Sequence, residues 1–154
     1  MKVIGFDPAI VVAGYAVIEA GKILEAGVYR LPRKETVPER LSLLFDHVTE
    51  TIEDHDPDVA GVEGPFIHPK RFMGQVAMLE ARGIMLLACA RAGLEIYEPS
   101  PSDVKKSMTG SGVASKTQVQ QAVVDRCNLK SAPQPLDVSD AIAVSLCVES
   151  RIGI

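Results

Sequence analysis

Cysteine is scarce in this 154-residue chain, and the three present, Cys89, Cys127 and Cys147, are odd in number and widely spaced. That excludes a disulfide framework and any zinc-type ligand spacing. Their apolar, helix-like surroundings predict reduced core thiols, as expected of a cytoplasmic protein. Long apolar runs are missing too: none approaches the ~20 uninterrupted residues that span a bilayer, so no membrane association is expected. The opening MKVIGFDP reaches Asp7 too early for a signal peptide. His47, His55 and His68 are scattered without helical pairing and read as surface residues. Internal repeats and low-complexity linkers are absent. What remains, with 47% hydrophobic and 23% charged residues, is a globular chain whose length fits one domain, 1–154.

An excess of positive charge is also lacking. The net charge of −4 argues at first sight against a polyanionic partner. Its distribution is uneven, however. Residues 68–130 carry nine Lys/Arg against five acids, the segment before them six against twelve, and the tail one against three. A basic half beside an acidic half is compatible with a phosphate-binding surface and equally with a solvated charge pattern.

Hydrophobic patterning orders the chain. KVIGFD scarcely alternates and reads as a strand buried on both faces. VVAGYAVIEAGKILEAGVYRL, broken by a turn at EAGK, reads as a hairpin of two more strands. VPERLSLLFDHVTETIEDHDPD places Leu41, Leu44, Phe45, Val48 and Ile52 on one helical face and stops before Pro57. DVAGVEG is a short buried strand, RFMGQVAMLEARGIMLLACARAG a long apolar helix closed by Gly93, and LEIYEPS a fifth strand. Short helices follow over SPSDVKKSM and SKTQVQQAVVDRC, and PQPLDVSDAIAVSL supplies the last. Three meandering strands followed by helix, strand, helix, strand and helices define an α/β fold with a mixed five-stranded sheet flanked by helices. This is the element order of the ribonuclease H-like fold, though other mixed α/β folds share the pattern.

The carboxylates fall at telling places. Asp7 closes the first strand and Glu63 the fourth, where open α/β sheets tend to bind ligands. Asp137 and Asp140 open the last helix. They can cap it and complement its dipole, or, three residues apart on one face, hold a cation together. A carboxylate ending an apolar strand is costly to bury unless paired or metal-bound. If all four converge, like charges force some to stay protonated unless a hard divalent cation neutralises them. Oxygen-only donors point to Mg²⁺ or Mn²⁺, and two such ions roughly 3.5–4 Å apart are the usual arrangement for phosphoryl displacement.

Four blocks, VIGFDP…GYAVIE, GVEGPF, EARGIMLLACARAGLEIYEPSPSDVKKSMTGSGVASKTQVQ and DVSDAIAVSL, resemble the RuvC family of Holliday junction resolvases, collinearly from Lys2 to Val148. The resemblance implies a ribonuclease H-like fold and Mg²⁺-dependent paired nicking of four-way DNA junctions in recombination and repair. It implies two ions per active site, with Mn²⁺ as a substitute, and branch-migration machinery as a further partner. It also implies a homodimer, for which the apolar helix around 71–92 is the candidate face. By position, the family's catalytic, metal-binding acids fall on Asp7, Glu63, Asp137 and Asp140. Its DNA-contacting lysines match Lys105 and Lys116, with Lys106 beside the first, and its glycine loop matches Gly110 and Gly112. Phe66 matches an aromatic on the junction-facing loop. The chain departs from the family at Ala9 and Ile10, where glycine and a small polar residue are usual, and in FIHPKRFMGQ.

Other readings are a ribonuclease H-like nuclease acting on RNA or other branched DNA, and a catalytically inert junction-binding protein. A fragment of a sugar-kinase or actin-like ATPase would want glycine-rich phosphate loops and a second domain.

Overall fold

The computed structural model describes residues 1–153, so the last residue of the expected 1–154 span lies outside the described residues. The elements are β1 (Lys2–Asp7), β2 (Val12–Glu19), β3 (Lys22–Arg30), α1 (Val37–His55), β4 (Val59–Val62), α2 (Phe72–Arg91), β5 (Glu95–Tyr97), α3 (Pro101–Thr109), α4 (Lys116–Arg126) and α5 (Leu136–Ile152). A single 3₁₀ turn over Pro69–Arg71 precedes α2. The sheet order is β3-β2-β1-β4-β5, antiparallel through the β1–β2–β3 meander and parallel across β1–β4–β5. The mixed five-stranded sheet expected from the element order is therefore the one that forms.

Local sequence fixes the helix starts. Thr36, Ser100 and Ser115 each accept a hydrogen bond from the backbone N–H three residues on, and Glu39, Asp103 and Gln118 return the bond. These reciprocal caps satisfy donors that a helix N-terminus otherwise leaves open. α5 is different. It begins after Pro135 without a side-chain cap, so neither Asp137 nor Asp140 performs the capping that their position suggested.

Strand alternation sorts the core into two layers. Ile4, Phe6, Val17, Ala60 and Val62 face α1 and α2, packing with Leu44, Val48, Met85 and Cys89. Val3, Ile18 and Val59 face the opposite side, against Ile142, Val144 and Val148 of α5 and Val104, Val119 and Val123 of α3 and α4. Cys89 and Cys147 are buried thiols as expected, while Cys127 is half-buried.

Packing bears on α2, on the histidines and on Ile10, and it corrects the surface expectation for the histidines. By length and composition, Pro69–Arg91 is apolar enough to cross a membrane, although Glu80 and Arg82 break the run. One face of the helix nevertheless belongs to this core, through Ala81, Met85, Ala88 and Cys89. The histidines are half-buried and engaged, not loose on the surface. His47 stacks on Tyr29 with ring centroids 5.7 Å apart, His55 Nε2 lies 2.5 Å from Glu25, and His68 Nδ1 accepts from the Lys70 N–H. Ile10 packs against the α1/α2 layer, and the β1–β2 register runs unbroken from Lys2↔Glu19 to Asp7↔Gly14.

Candidate active site

The site grows out of strand parity. Val3, Gly5 and Asp7 point to one side of β1, and Val59, Gly61 and Glu63 to the same side of β4. The register Val3↔Val59 and Gly5↔Gly61 sets the two acids beside each other just past the last paired residues. On that side lies α5, and its approach is made possible by missing side chains. A Cβ on Gly5 would stand 2.2 Å from Ser145 Oγ and 2.9 Å from the Ala141 carbonyl oxygen. One on Gly14, the cross-strand partner of Asp7, would stand 2.0 Å from the carbonyl oxygen of Asp137. Both glycines allow helix backbone to rest on strand backbone. Buried Ser145 reaches the carbonyl oxygens of Ala16 and Ala141, at 3.2 and 2.9 Å, and ties the two layers together.

Because α5 lies this close, its first turns deliver Asp137 and Asp140 over the ends of β1 and β4. All four carboxylates line one cleft of about 360 Å³, with Lys105 from α3, Lys116 at the start of α4, and Ala9. Lys116 Nζ is 3.9 Å from Asp140 Oδ2. Burial pushes the Asp7 carboxyl up to about 8, helped by the charges of Asp140, Glu63 and Asp137 and opposed by Lys116. Burial and Asp140 push Glu63 up to about 7, against Lys116 and Lys105. Asp140 is raised too, again chiefly by burial, with Lys116 opposing and Asp137 assisting.

Such crowding makes the cleft a sink for positive charge. Among the described residues, no group of three or more His, Cys, Asp or Glu side chains is arranged to hold a metal ion as it stands. The donor chemistry fits a hard divalent cation all the same: the donors are carboxylate oxygens only, and their mutual repulsion favours any bound cation.

The remaining expected residues divide. Phe66 lies in the loop after β4 and is 65% exposed, so it is no core phenylalanine. Ile67, Phe72 and Met73 add exposed apolar surface beside it. Gly110 ends α3 with φ of 86°, and Gly112 packs so tightly on Ser102 that a Cβ would meet its Oγ at 2.6 Å. The α3–α4 loop between the two lysines is thus built on backbone. Lys106 is not brought to the site. It lines a separate cleft with Asp103, Ser107, Cys147, Ser150 and Arg151, because adjacent helical residues point about 100° apart.

A mixed sheet covered on both faces, with acids from two strand ends and a helix gathered over lysines, defines a ribonuclease H-like nuclease. A family model described as crossover junction endodeoxyribonuclease RuvC matches residues 3–148. The chain belongs to this family. The RuvC of Rhodopirellula baltica is 42% identical over 149 residues, spanning 94% of this chain and 84% of the relative. That of Dehalococcoides mccartyi strain 195 is 37% identical over 155 residues, spanning 98% and 93%. The structure of Thermus thermophilus RuvC in complex with Holliday junction substrate matches with a TM-score of 0.86 at 28% identity, covering 99% of this chain and 96% of that one.

Proposed function

We infer that the chain is an endonuclease that resolves four-way DNA junctions by paired symmetric nicks in recombination and repair. The observation that carries this reading is the single cleft holding Asp7, Glu63, Asp137 and Asp140 with Lys105 and Lys116, in a chain of the RuvC family. Residues 1–154 act as one nuclease domain, in the cytoplasm.

The four carboxylates would hold Mg²⁺, two ions per site, with Mn²⁺ as a substitute. When bound, such ions lower the pKa of an attacking water and stabilise the leaving oxygen. The protein's own groups do the rest. The acids aim at one scissile phosphate because the backbone contacts at Gly5 and Gly14 lock β1 and β2 to α5, and β4 pairs in register with β1. Lys105 and Lys116 supply the cationic wall along which the flanking phosphates lie, and the Gly110–Gly112 loop admits the strand closely between them. Phe66, exposed at the rim, offers a stacking face for a base freed at the branch point.

A four-way junction is close to two-fold symmetric, so two copies related by a two-fold axis place two identical sites on opposing strands. The outer face of α2, with Met73 82% exposed and Leu87 47% exposed, suits that homodimer. Branch-migration machinery is a partner that the family resemblance supports.

The test is a cleavage panel. Labelled four-way junction, flap, linear duplex and RNA–DNA hybrid are incubated with protein in Mg²⁺ or in EDTA. The junction should be cut in Mg²⁺ by paired nicks that a ligase can seal, and Glu63→Gln should bind it without cutting. Equal cleavage of linear duplex or of the hybrid would refute junction resolution.

A further inference from the structure

Of the two acids carried on strands, Glu63 is the less anchored by sheet pairing, since Asp7 still pairs with Gly14. The β1–β4 ladder ends at Phe6↔Val62 and the β4–β5 ladder at Gly61↔Tyr97. Beyond them the Glu63 N–H reaches only the Phe6 carbonyl, at 3.4 Å. The peptide carbonyl of Glu63 therefore has no strand partner. It is taken instead by a side chain from α2: Arg82 Nε donates to the Glu63 carbonyl oxygen at 3.0 Å. The same guanidinium donates through Nη2 to the carboxylate of Glu98, just past β5. One residue further along each strand exit, the Gly64 N–H bonds the Pro99 carbonyl at 2.7 Å.

We propose that Arg82 is a positioning residue for catalysis, whose fork fixes the backbone of Glu63 against the β5 exit and so sets where its carboxylate stands in the cleft. The proposal rests on the nuclease reading above and adds to it a residue outside the cleft. Three features support it. Arg82 does not line the cleft, and the cleft residue that it bonds is Glu63. Its side chain is only 13% exposed, which holds the guanidinium to its two acceptors. Its two bonds need donors in a rigid planar fork, which lysine lacks.

The geometry gives an ordered series of effects. Arg82→Ala frees the Glu63 carbonyl and lets the acid drift. Displacement on the ångström scale ordinarily lowers turnover by about 100-fold. Arg82→Lys keeps the charge and can satisfy one acceptor at a time, so it should recover activity only partly. Glu98→Gln keeps an acceptor for Nη2 and leaves the Nε bond intact, and should stay within about threefold of wild type.

The experiment measures single-turnover junction cleavage across a Mg²⁺ titration, junction affinity in EDTA, and thermal melting for each variant. The expected result is a lowered cleavage rate and a raised Mg²⁺ midpoint for Arg82→Ala, with junction affinity in EDTA unchanged. Loss of fold alone would lower the amplitude without moving the midpoint, and Arg82→Lys carries the test if the alanine variant does not fold. Wild-type-like rate and midpoint in Arg82→Ala would overturn the proposal. So would full recovery by lysine, because charge or stability would then explain the effect. A wild-type protein that fails to cut the junction would refute the nuclease reading instead, a separate outcome.

Discussion

Replacing Asp7 by Asn should stabilise the metal-free protein while abolishing its cleavage. The carboxyl sits at about 8, against an ordinary 3.8, because it is buried and faces Asp140, Glu63 and Asp137 with only Lys116 to offset them. The folded protein therefore keeps a proton that the unfolded chain releases. The stability linked to this proton is complete below about pH 4 and is lost as pH rises through about 8. At about 1.4 kcal/mol per pH unit, the ceiling on the loss is about 4 kcal/mol at pH 7. Relaxation and solvent entry in an open cleft, equivalent to a higher effective dielectric, bring the expected value to about 2 kcal/mol. Asn keeps the shape of the side chain and removes the charge.

The assay is urea unfolding in EDTA from pH 4 to pH 9, wild type beside Asp7→Asn. The two should match near pH 4 and diverge as pH rises. By pH 8 the variant should lead by about 2 kcal/mol, a midpoint shift of about 1 M urea. Added Mg²⁺ should then reverse the order, since a ligand at 100 times its dissociation constant stabilises wild type by about 2.7 kcal/mol. A variant that is no more stable than wild type at pH 8 in EDTA, or a difference that is flat with pH, would refute the reasoning.

Gly14→Ala should lower stability by about 1–3 kcal/mol or more and cleavage with it, because the new methyl meets the Asp137 carbonyl oxygen at 2.0 Å and backbone cannot step aside. Gly21→Ala, at a turn with φ of 73° and open space around it, should destabilise by about 1 kcal/mol and leave the cleavage rate of the folded protein unchanged. Lys105→Ala and Lys116→Ala should each flatten the salt dependence of junction binding by about one unit of slope. Lys106→Ala, pointing into the other cleft, should not slow cleavage; a loss as large as that of Lys116→Ala would mean that DNA reaches around α3.

How much of this could be read from the residues follows from what is local and what is not. Strand and helix identities were legible because KVIGFD and VAGV are short apolar runs, while the Leu41–Ile52 pattern keeps helical spacing. The convergence of Asp7 and Glu63 was legible too, since two adjacent parallel strands of like parity must bring their ends together. The capping reading of Asp137 failed because Pro135 opens the helix and Asp137 is drawn over the sheet. Lys106 faces another cleft than Lys105 because sequence neighbours on a helix point apart, and the histidines misled because they found distant partners, Tyr29 and Glu25. Arg82 left no sequence signal, because a charge inside an apolar helix looks like an exposed interruption until its acceptors are known.

Acids on strand ends that must converge on one cleft pose a placement problem, which this chain meets with backbone contacts. A carboxylate carried by a flexible side chain is only as well placed as its Cα. Asp7 and the Asp137 turn are fixed by close approach, since Gly14 brings β2 against the Asp137 carbonyl and Gly5 brings β1 against α5. Such contacts are stiff because compressing backbone atoms is steep in energy, and they leave the side chains free to face the cleft. Glu63 lacks such a contact at its own position, one residue past the parallel ladder. A parallel strand has no hairpin to brace its exit, whereas β1 is braced by β2 through Asp7↔Gly14. At β4 the Gly64 N–H ties the exit to the Pro99 carbonyl, and Arg82 of α2 adds a second tie at the Glu63 carbonyl. These two bonds fit a half-buried arginine on a helix otherwise rich in apolar residues, with Arg82 turned toward the strand exits while Met73, Gly83 and Leu87 face outward.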